Sequence, residues 1–291
     1  MNILEVTLHF SRGLSSQVAV LFLLVFTGAA GTAQQSGSQN VQLYAMDCGH
    51  FDSLDLSALS DTGEYDHQTG NLADPCFLIH HPKGWLLWDT GLPDSYVSHS
   101  TEATTGRRVY RLQSILSELK VLSLTPADIT YVGFSHLHFD HSGNANLFTS
   151  STWLLQRKEF ESATATPKPF GVDPSTFSDY AKAKMNLLNG DYDIFGDGTV
   201  RILAAPGHTP GHQILLVKLS QKGNVILAGD VYQRKQSRKD RLVPNYNTSR
   251  AETLASMDRI ERLAKNLNAT VIAQHSTEDF TLLPKFPEAW Q

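Results

Sequence analysis

One segment in the middle of the chain joins an apolar strand to a dense group of titratable residues. Asp128–Ser135 (DITYVGFS) has the composition of a buried strand, and HLHFDH follows it directly. On an extended backbone His136 and His138 point to the same side, and Asp140 and His141 lie on the turn that follows. Each buried polar group without a partner costs roughly 1 kcal/mol or more. The segment therefore predicts a ligand site for an ion such as zinc, iron, manganese or cobalt.

The rest of the chain alternates strand-like and helix-like segments. Apolar runs predict strands at VQLYAMD (41–47), CFLIHH (76–81), GWLLWDT (84–90), VRILAAP (200–206), HQILLVKLS (212–220), NVILAGD (224–230) and ATVIAQ (269–274). The second and third of these are expected to form a hairpin across PKG. Helical spacing of apolar residues predicts a helix over Arg107–Lys120 and another over 249–267, with Ser249 or Thr248 as N-cap and Glu252 as its capping-box partner. Such alternation predicts sheets covered by helices.

Further histidines and an aspartate follow other apolar runs. His208 and His212 lie in APGHTPGH, Asp230 ends LAGD, and His275 ends IAQH. An open α/β sheet places its ligand site beyond strand ends, where these residues are expected. Each alone is more often hydrogen-bonded structure than a ligand, but together they indicate one shared site. His212, at the start of a strand, is expected to be structural.

Taken in order, these motifs resemble the metallo-β-lactamase superfamily. The match consists of HxHxDH (136–141), PGHTPGH (206–212), GD (229–230) and the late His275, and it extends from Val41 to the C-terminus. It implies an α+β / α/β protein, the four-layer αβ/βα sandwich of the metallo-β-lactamase fold, with metals at one edge. HLHFDHSGN, CFLIHHPKGWLLWDTGL and QHSTEDFTLLPKFPEAW are further similar to the N-acyl-homoserine lactonase branch.

The resemblance implies a centre of two divalent metal ions, with zinc expected. One ion would be held by His136, His138 and His208, the other by Asp140, His141 and His275, with Asp230 bridging them. The implied activity is that of a metal-dependent hydrolase, in which a bridging hydroxide opens the lactone of an N-acyl-homoserine lactone, a quorum-quenching reaction. Asp140 would carry the proton to the leaving ring oxygen.

One position departs from the lactonase pattern. In that branch a tyrosine three residues after the bridging aspartate orients the substrate carbonyl, whereas this chain has Gln233 there and Tyr232 one residue earlier. A small shift of the loop would return the hydroxyl to the site, so Tyr232 is a second candidate catalytic residue beside Asp140. Because of this departure, the sequence does not fix the identity of the substrate.

Two other activities use related centres. A periplasmic metallo-β-lactamase would need the same hydroxide and the same polarised carbonyl, and a persulfide dioxygenase-like enzyme would bind one iron. The loop Gly49–Asp74 carries Phe51, Leu54, Leu56 and Leu59, which would either line a pocket for an acyl chain or anchor the loop to the core.

The N-terminal residues have the layout of a secretory signal peptide. Arg12 precedes the apolar run VAVLFLLVF (18–26) and a small-residue stretch ending at Ala33, which predicts a signal peptide over 1–33, a disordered linker over 34–40 and a hydrolase domain over 41–291. Export to the periplasm or medium would follow; a retained membrane-associated anchor and a cytoplasmic enzyme are the alternatives. Cys48 and Cys76 would either pair in an oxidising compartment or lie buried in neighbouring strands.

Composition limits the partners. A net charge of −5 without a long Lys/Arg run gives no electrostatic footprint for nucleic acid. The apolar run of 18–26 is shorter than the roughly 20 residues that span a membrane, so no span is expected after cleavage. A small-molecule lactone is the expected partner, and the oligomeric state stays open, a homodimer included.

Overall fold

The computed structural model describes residues 41–97, 101–102 and 107–291. The predicted signal peptide and linker lie outside these residues. Within the described part, no helix combines the length and apolar character that crossing a membrane requires.

The first sheet contains nine of the described strands. They are β1 (Gln42–Asp55), β2 (Thr69–His81), β3 (Gly84–Trp88), β4 (Thr101–Glu102), β5 (Arg108–Tyr110), β6 (Ile129–Gly133), β7 (Thr152–Gln156), β8 (Lys184–Leu188) and β14 (Ala289–Trp290). Their order is β4-β5-β1-β2-β3-β6-β7-β8, with β14 also paired to β1. The expected hairpin forms, because β2 and β3 pair antiparallel from Phe77 with Trp88 to His81 with Gly84. From β3 onward the pairs are parallel, so these strands end at one edge.

The second sheet contains the other five described strands, β9 (Tyr192–Asp193), β10 (Val200–Ala204), β11 (Gln213–Leu219), β12 (Gly223–Leu227) and β13 (Thr270–Ile272). Their order is β13-β12-β11-β10-β9. β12 and β13 are parallel, with Leu227 opposite Ile272, so the segments after both strands leave the sheet side by side.

Helices cover the outer faces of both sheets. The six described α-helices are α1 (Ile115–Val121), α2 (Phe139–Ser142), α3 (Arg157–Ala163), α4 (Lys235–Asp240), α5 (Arg250–Leu267) and α6 (Thr277–Leu282). Phe77 and Trp88 of the first sheet pack with Leu215 of the second in a shared core, while Met257 and Ile260 of α5 pack on the far side of the second sheet. The chain is therefore the predicted four-layer αβ/βα sandwich.

The predicted helix over Arg107–Lys120 is wrong in its first half. Arg108–Tyr110 form β5, where Val109 pairs with Phe51 of β1. The helix begins only after Ser114, whose side chain accepts a hydrogen bond from the backbone N–H of Ser117. The other predicted helix begins after Ser249, which caps it by accepting the N–H of Glu252.

Cys48 and Cys76 form a disulfide that joins β1 to β2. Both side chains are fully buried. The sequence left open whether the two cysteines pair or lie buried as free thiols, and in the structure they are paired.

Candidate metal centre

Four strand ends bring the seven predicted ligand residues into one place. His136 follows β6, His208 follows β10, Asp230 follows β12 and His275 follows β13, each by three or four residues, and α2 carries Asp140 and His141. Two groups result, each with its ligand atoms within 4.8 Å of one another: His136, His138, His208 and Asp230 in the first, and Asp140, His141 and His275 in the second. Asp140 is half-buried and the other six are buried.

Asp230 lies between the two groups and faces both. Its Oδ2 is 3.3 Å from Nε2 of His208 and 3.9 Å from Nε2 of His136. Its Oδ1 is 3.1 Å from Nε2 of His275 and 3.3 Å from Nε2 of His141. One carboxylate oxygen therefore belongs to each group, which is the arrangement that a bridging ligand needs.

The outer nitrogens of three imidazoles meet groups that only accept hydrogen bonds. Nδ1 of His141 lies 3.0 Å from Oδ2 of Asp89, Nδ1 of His208 lies 2.8 Å from Oδ1 of Asn247, and Nδ1 of His275 lies 2.8 Å from the carbonyl oxygen of Ala73. These contacts place a proton on each Nδ1. The Nε2 lone pairs then point inward, as metal-binding histidines require.

The inward-facing atoms fit a cation. Nε2 of His208 lies 3.2 Å from both Nε2 of His136 and Nδ1 of His138, a separation that facing lone pairs avoid unless a proton or a cation lies between them. In the second group, Nε2 of His141 and Oδ1 of Asp230 are buried and have no hydrogen-bond partner among the described residues. Imidazole nitrogens and carboxylate oxygens in this number suit divalent transition metals.

The electrostatics of the two groups differ. Burial and the neighbouring imidazoles lower the pKa of His136 and His138 well below the ordinary value, which keeps both rings neutral and able to bind a metal. At His275 burial acts in the same direction, but the carboxylates of Asp230 and Asp140 outweigh it and raise the pKa to about 9. The second group therefore favours a positive charge, from a proton or from a metal ion.

His212 is not among the ligand groups, in agreement with its expected structural role. Its Nε2 accepts the backbone N–H of Asp230 at 3.0 Å, and its Nδ1 lies 3.2 Å from the carbonyl oxygen of Ala205. Burial, followed by the neighbouring His208, lowers its pKa to about 3, so the ring is neutral. It fixes the backbone that carries the bridging carboxylate.

Sequence reasoning missed three residues that hold the ligands in place. Asp89 contacts His141 and also accepts the N–H of Ser135 at 2.6 Å, Asn247 contacts His208, and Glu159 accepts hydrogen bonds from Leu137 and Thr209. Asp89 carried a usable signal, because it follows the apolar run GWLLW as Asp230 follows NVILAG. Glu159 and Asn247 carried none, since their partners are distant in sequence.

An apolar cavity of about 470 Å³ opens beside both groups. His138, Asp140, Asp230 and His275 line its inner end. Its walls include Phe51, Leu54, Leu59, Leu72, Phe139, Phe170 and Tyr246. The expected loop Gly49–Asp74 is partly strand, because Phe51 and Leu54 belong to β1 and Thr69–Asp74 to β2. Phe51, Leu54 and Leu59 line this cavity, whereas Leu56 packs in a small core beside it. The volume is in the range of small-molecule sites.

The prediction that Tyr232 lines the site is wrong. Its hydroxyl donates to Oε1 of Glu261 at 3.0 Å, and its ring is buried in the core between the second sheet and α5. The short turn Gly229–Val231 explains this orientation, since it directs residue 232 away from the ligands and brings Gln233 to the cavity. The tyrosine that does line the cavity is Tyr246, where burial, with Asp230 and Asp140, raises the pKa well above its usual value.

Comparison with known proteins agrees with this geometry. Residues 70–275 match the model of the metallo-beta-lactamase superfamily. The chain is 33% identical over 243 residues to N-acyl homoserine lactonase AttM of Rhizobium radiobacter, covering 75% of this chain and 89% of that protein. It is 29% identical over 225 residues to N-acyl homoserine lactonase AiiA of Bacillus thuringiensis subsp. kurstaki, covering 75% and 87%.

The fold is also similar to that of a solved lactone hydrolase structure. An N-acyl homoserine lactone hydrolase with its product N-hexanoyl-L-homoserine at the catalytic metal centre superposes with a TM-score of 0.74 at 27% identity. The match covers 87% of this chain and 99% of that one.

Proposed function

The chain belongs to the metallo-β-lactamase superfamily and is a metal-dependent hydrolase, and we propose that it opens the lactone ring of N-acyl-homoserine lactones. The observation that carries the proposal is the position of the cavity. Both ligand groups open into one apolar space, so a polar lactone can lie at Asp140 and Asp230 while an acyl chain follows Phe51, Leu54 and Leu59. The lactonase names of the relatives support the same substrate class.

We propose two metal ions, and zinc as their identity. Two ions are supported by the six residues with nitrogen or oxygen donors that form two groups and by Asp230, which faces both groups. Zinc binds to donors of these types. Metals in such a site make water a nucleophile near neutral pH and polarise a carbonyl oxygen.

The half-buried carboxylate of Asp140 is suited to move the proton. Its oxygens lie 3.9 Å from Nε2 of His275 and 4.0 Å from Nε2 of His141, and the side chain also lines the cavity where the lactone would lie. In the proposed reaction Asp140 takes a proton from the attacking water and gives it to the ring oxygen as the ester bond breaks. Such general acid–base catalysis is worth roughly 10²–10⁴-fold in rate.

The test is a paired assay on the purified protein. Hydrolysis of a long-chain N-acyl-homoserine lactone is measured beside that of a chromogenic cephalosporin, before and after chelation and again after zinc is returned, with metal content and oligomeric state read on the same sample. We expect lactone opening that chelation abolishes, and about two metals per chain. Asp140→Asn should lower kcat by roughly 100-fold or more, whereas Asp240→Asn, on the exposed end of α4, should not.

The rival activities give different results in the same assay. Cephalosporin hydrolysis without lactone opening would identify a β-lactamase. A single bound iron with neither hydrolysis would contradict the proposal and point to persulfide oxidation.

We further propose that the protein is exported. The buried Cys48–Cys76 disulfide supports this, because such bonds persist in oxidising compartments. Fractionation of cells that express the full chain, with sequencing of the mature N-terminus, is expected to find an exported form that begins near residue 34. Recovery of the uncleaved chain in the cytoplasm would contradict export.

A further inference from the structure

Tyr246 presents an aromatic ring to the cavity, next to the ligand groups. It lies on the loop between α4 and α5 and lines the cavity together with His138, Asp140 and Asp230. Its ring stands edge-on to that of His208, with ring centroids 5.7 Å apart. It also lies against the ring of Phe170, with ring centroids 5.0 Å apart. The ring is therefore beside both ligand groups.

The backbone is anchored on both sides of this tyrosine. The N–H of Asn245 donates to the carbonyl oxygen of Ala58 at 3.0 Å. Oδ1 of Asn247 accepts from His208 at 2.8 Å, and the N–H of Thr248 donates to the carbonyl oxygen of His208 at 3.0 Å. The loop is thus bound to the same residue that forms part of the centre, which fixes the position of Tyr246 before a substrate arrives.

The hydroxyl of Tyr246 is free to bind a ligand. It makes no hydrogen bond within the part of the chain that the structure describes, whereas the hydroxyl of Tyr232 is bound to Glu261. The neighbouring carboxylates and inward-facing imidazole nitrogens are acceptors, and the Gln233 side chain donates one of its two N–H groups to the carbonyl oxygen of Asp230 at 2.9 Å. The Tyr246 hydroxyl is therefore a hydrogen-bond donor that a substrate oxygen beside the ligand groups can use.

We propose that Tyr246 is a catalytic residue whose hydroxyl donates a hydrogen bond to the carbonyl oxygen of the lactone. The inference rests on the proposed function. The carbonyl oxygen gains negative charge as the water adds to its carbon, so this hydrogen bond becomes stronger in the transition state than in the bound substrate. Tyr246, from a different loop, thereby supplies the phenol that position 233 does not carry.

The test compares two phenylalanine variants. Tyr246→Phe keeps the ring against Phe170 and His208 and removes only the oxygen, and Tyr232→Phe removes the hydroxyl that faces Glu261. For Tyr246→Phe we expect kcat/KM on an N-acyl-homoserine lactone to fall about 10- to 100-fold, mostly in kcat, with unchanged metal content and Tm. Calorimetric titration with the ring-opened N-acyl-homoserine should show a Kd about 5-fold weaker. Tyr232→Phe should keep kcat/KM and lower Tm.

The outcomes separate this inference from the proposed function. If the wild-type protein opens lactones and Tyr246→Phe matches it within twofold in kcat/KM and in product Kd, the role of Tyr246 is overturned and the proposed function stands. Loss of activity in Tyr232→Phe, with Tyr246→Phe unaffected, would return the role to Tyr232. A wild-type protein that opens no lactone overturns the proposed function and this inference with it.

Discussion

Glu159 accepts a hydrogen bond from the hydroxyl of Thr209 at 2.6 Å, next in sequence to His208. The same carboxylate accepts the N–H of Leu137 at 2.9 Å, between His136 and His138. One buried side chain on α3 thus fixes the two segments that supply the first ligand group.

Replacing Glu159 by glutamine should loosen both segments. An amide has one accepting oxygen, so a backbone N–H from Leu137 or Gly211 would face an NH₂ group and lose its partner. We expect the free energy of unfolding to fall by about 1.5–3 kcal/mol and metal affinity by about 10-fold or more. Urea unfolding and competition with a chelator measure the two effects. The control Thr209→Ser keeps the hydroxyl, and equal losses in both variants would contradict this role.

Asp89 offers a test of the second ligand group. It has a left-handed backbone conformation, with φ of 58°, which asparagine also tolerates, so Asp89→Asn removes the charge with little backbone strain. Since Asp89 orients His141, metal affinity should fall about 10- to 100-fold, and under the two-ion proposal the ion at His141 should be lost first. Metal content after dialysis against a graded chelator series measures this. Full retention of metal would show that the Asp89 carboxylate does not support the ligand.

Glu118 gives the protein a pH-dependent stability. Burial raises its pKa to about 8 from the ordinary 4.5, against the opposing effect of its contacts with Asp47 and Arg111. Between these pH values the folded protein holds a proton on Glu118 that the unfolded chain has released. The contribution of Glu118 to the free energy of unfolding is therefore fully present below about pH 4.5 and is lost as the pH rises toward 8. The slope approaches about 1.4 kcal/mol per pH unit.

Unfolding of wild type and Glu118→Gln at several pH values between 5 and 9 checks this effect. The variant cannot ionise, so its stability should depend less on pH, and the difference between the two proteins isolates Glu118 from the histidines. If the free energy of unfolding depends on pH in the same way in both proteins, the pKa of Glu118 in the folded protein has its ordinary value.

The disulfide should contribute to stability without contributing to the chemistry. It closes a loop of sequence separation 28, for which the loss of chain entropy in the unfolded state predicts about 3–4 kcal/mol. The double variant Cys48→Ala, Cys76→Ala should unfold at lower urea concentration and keep its kcat at 25 °C. If the double variant is as stable as the wild-type protein in which the disulfide is formed, the disulfide makes no such contribution.

The wall of the cavity should set the preference for acyl-chain length. Leu54 is half-buried and lines the cavity, so Leu54→Trp adds volume there while disturbing the core little. If two methylene groups of a long chain lose their contacts, at about 0.8 kcal/mol each, KM for long-chain lactones rises about 10-fold and that for short chains changes little. A rise of equal size for both would place the acyl chain elsewhere.

The candidate ligand residues could be found in the sequence because their signal is local, and the resemblance to the superfamily then divided them between two groups. Each stands a few positions beyond an apolar run, and HLHFDH places four of them within six residues, so neither side-chain orientation nor long-range pairing had to be known. The strands around them were predicted for the same reason, since buried strands are continuous apolar runs.

The errors arose where tertiary contacts decide the outcome. Val109 fits a helical pattern, but its pairing with Phe51 draws it into a strand, and Leu112 of the expected apolar face is 66% exposed. Tyr232 follows the bridging aspartate as closely as Gln233 does, and only the turn in front of it decides which side chain faces the cavity. Tyr246 meets the site through a loop held by Ala58 and His208, both distant in sequence.

The centre draws its ligands from both halves of the chain. His136 to His141 follow a strand of the first sheet, and His208, Asp230 and His275 follow strands of the second. An ion held by these groups is a cross-link between the sheets, so its binding free energy also opposes their separation. Stripping the metal should then make unfolding less cooperative and open the interface between the sheets to proteases. In this architecture a metal ion bound for the chemistry would also hold the tertiary structure together.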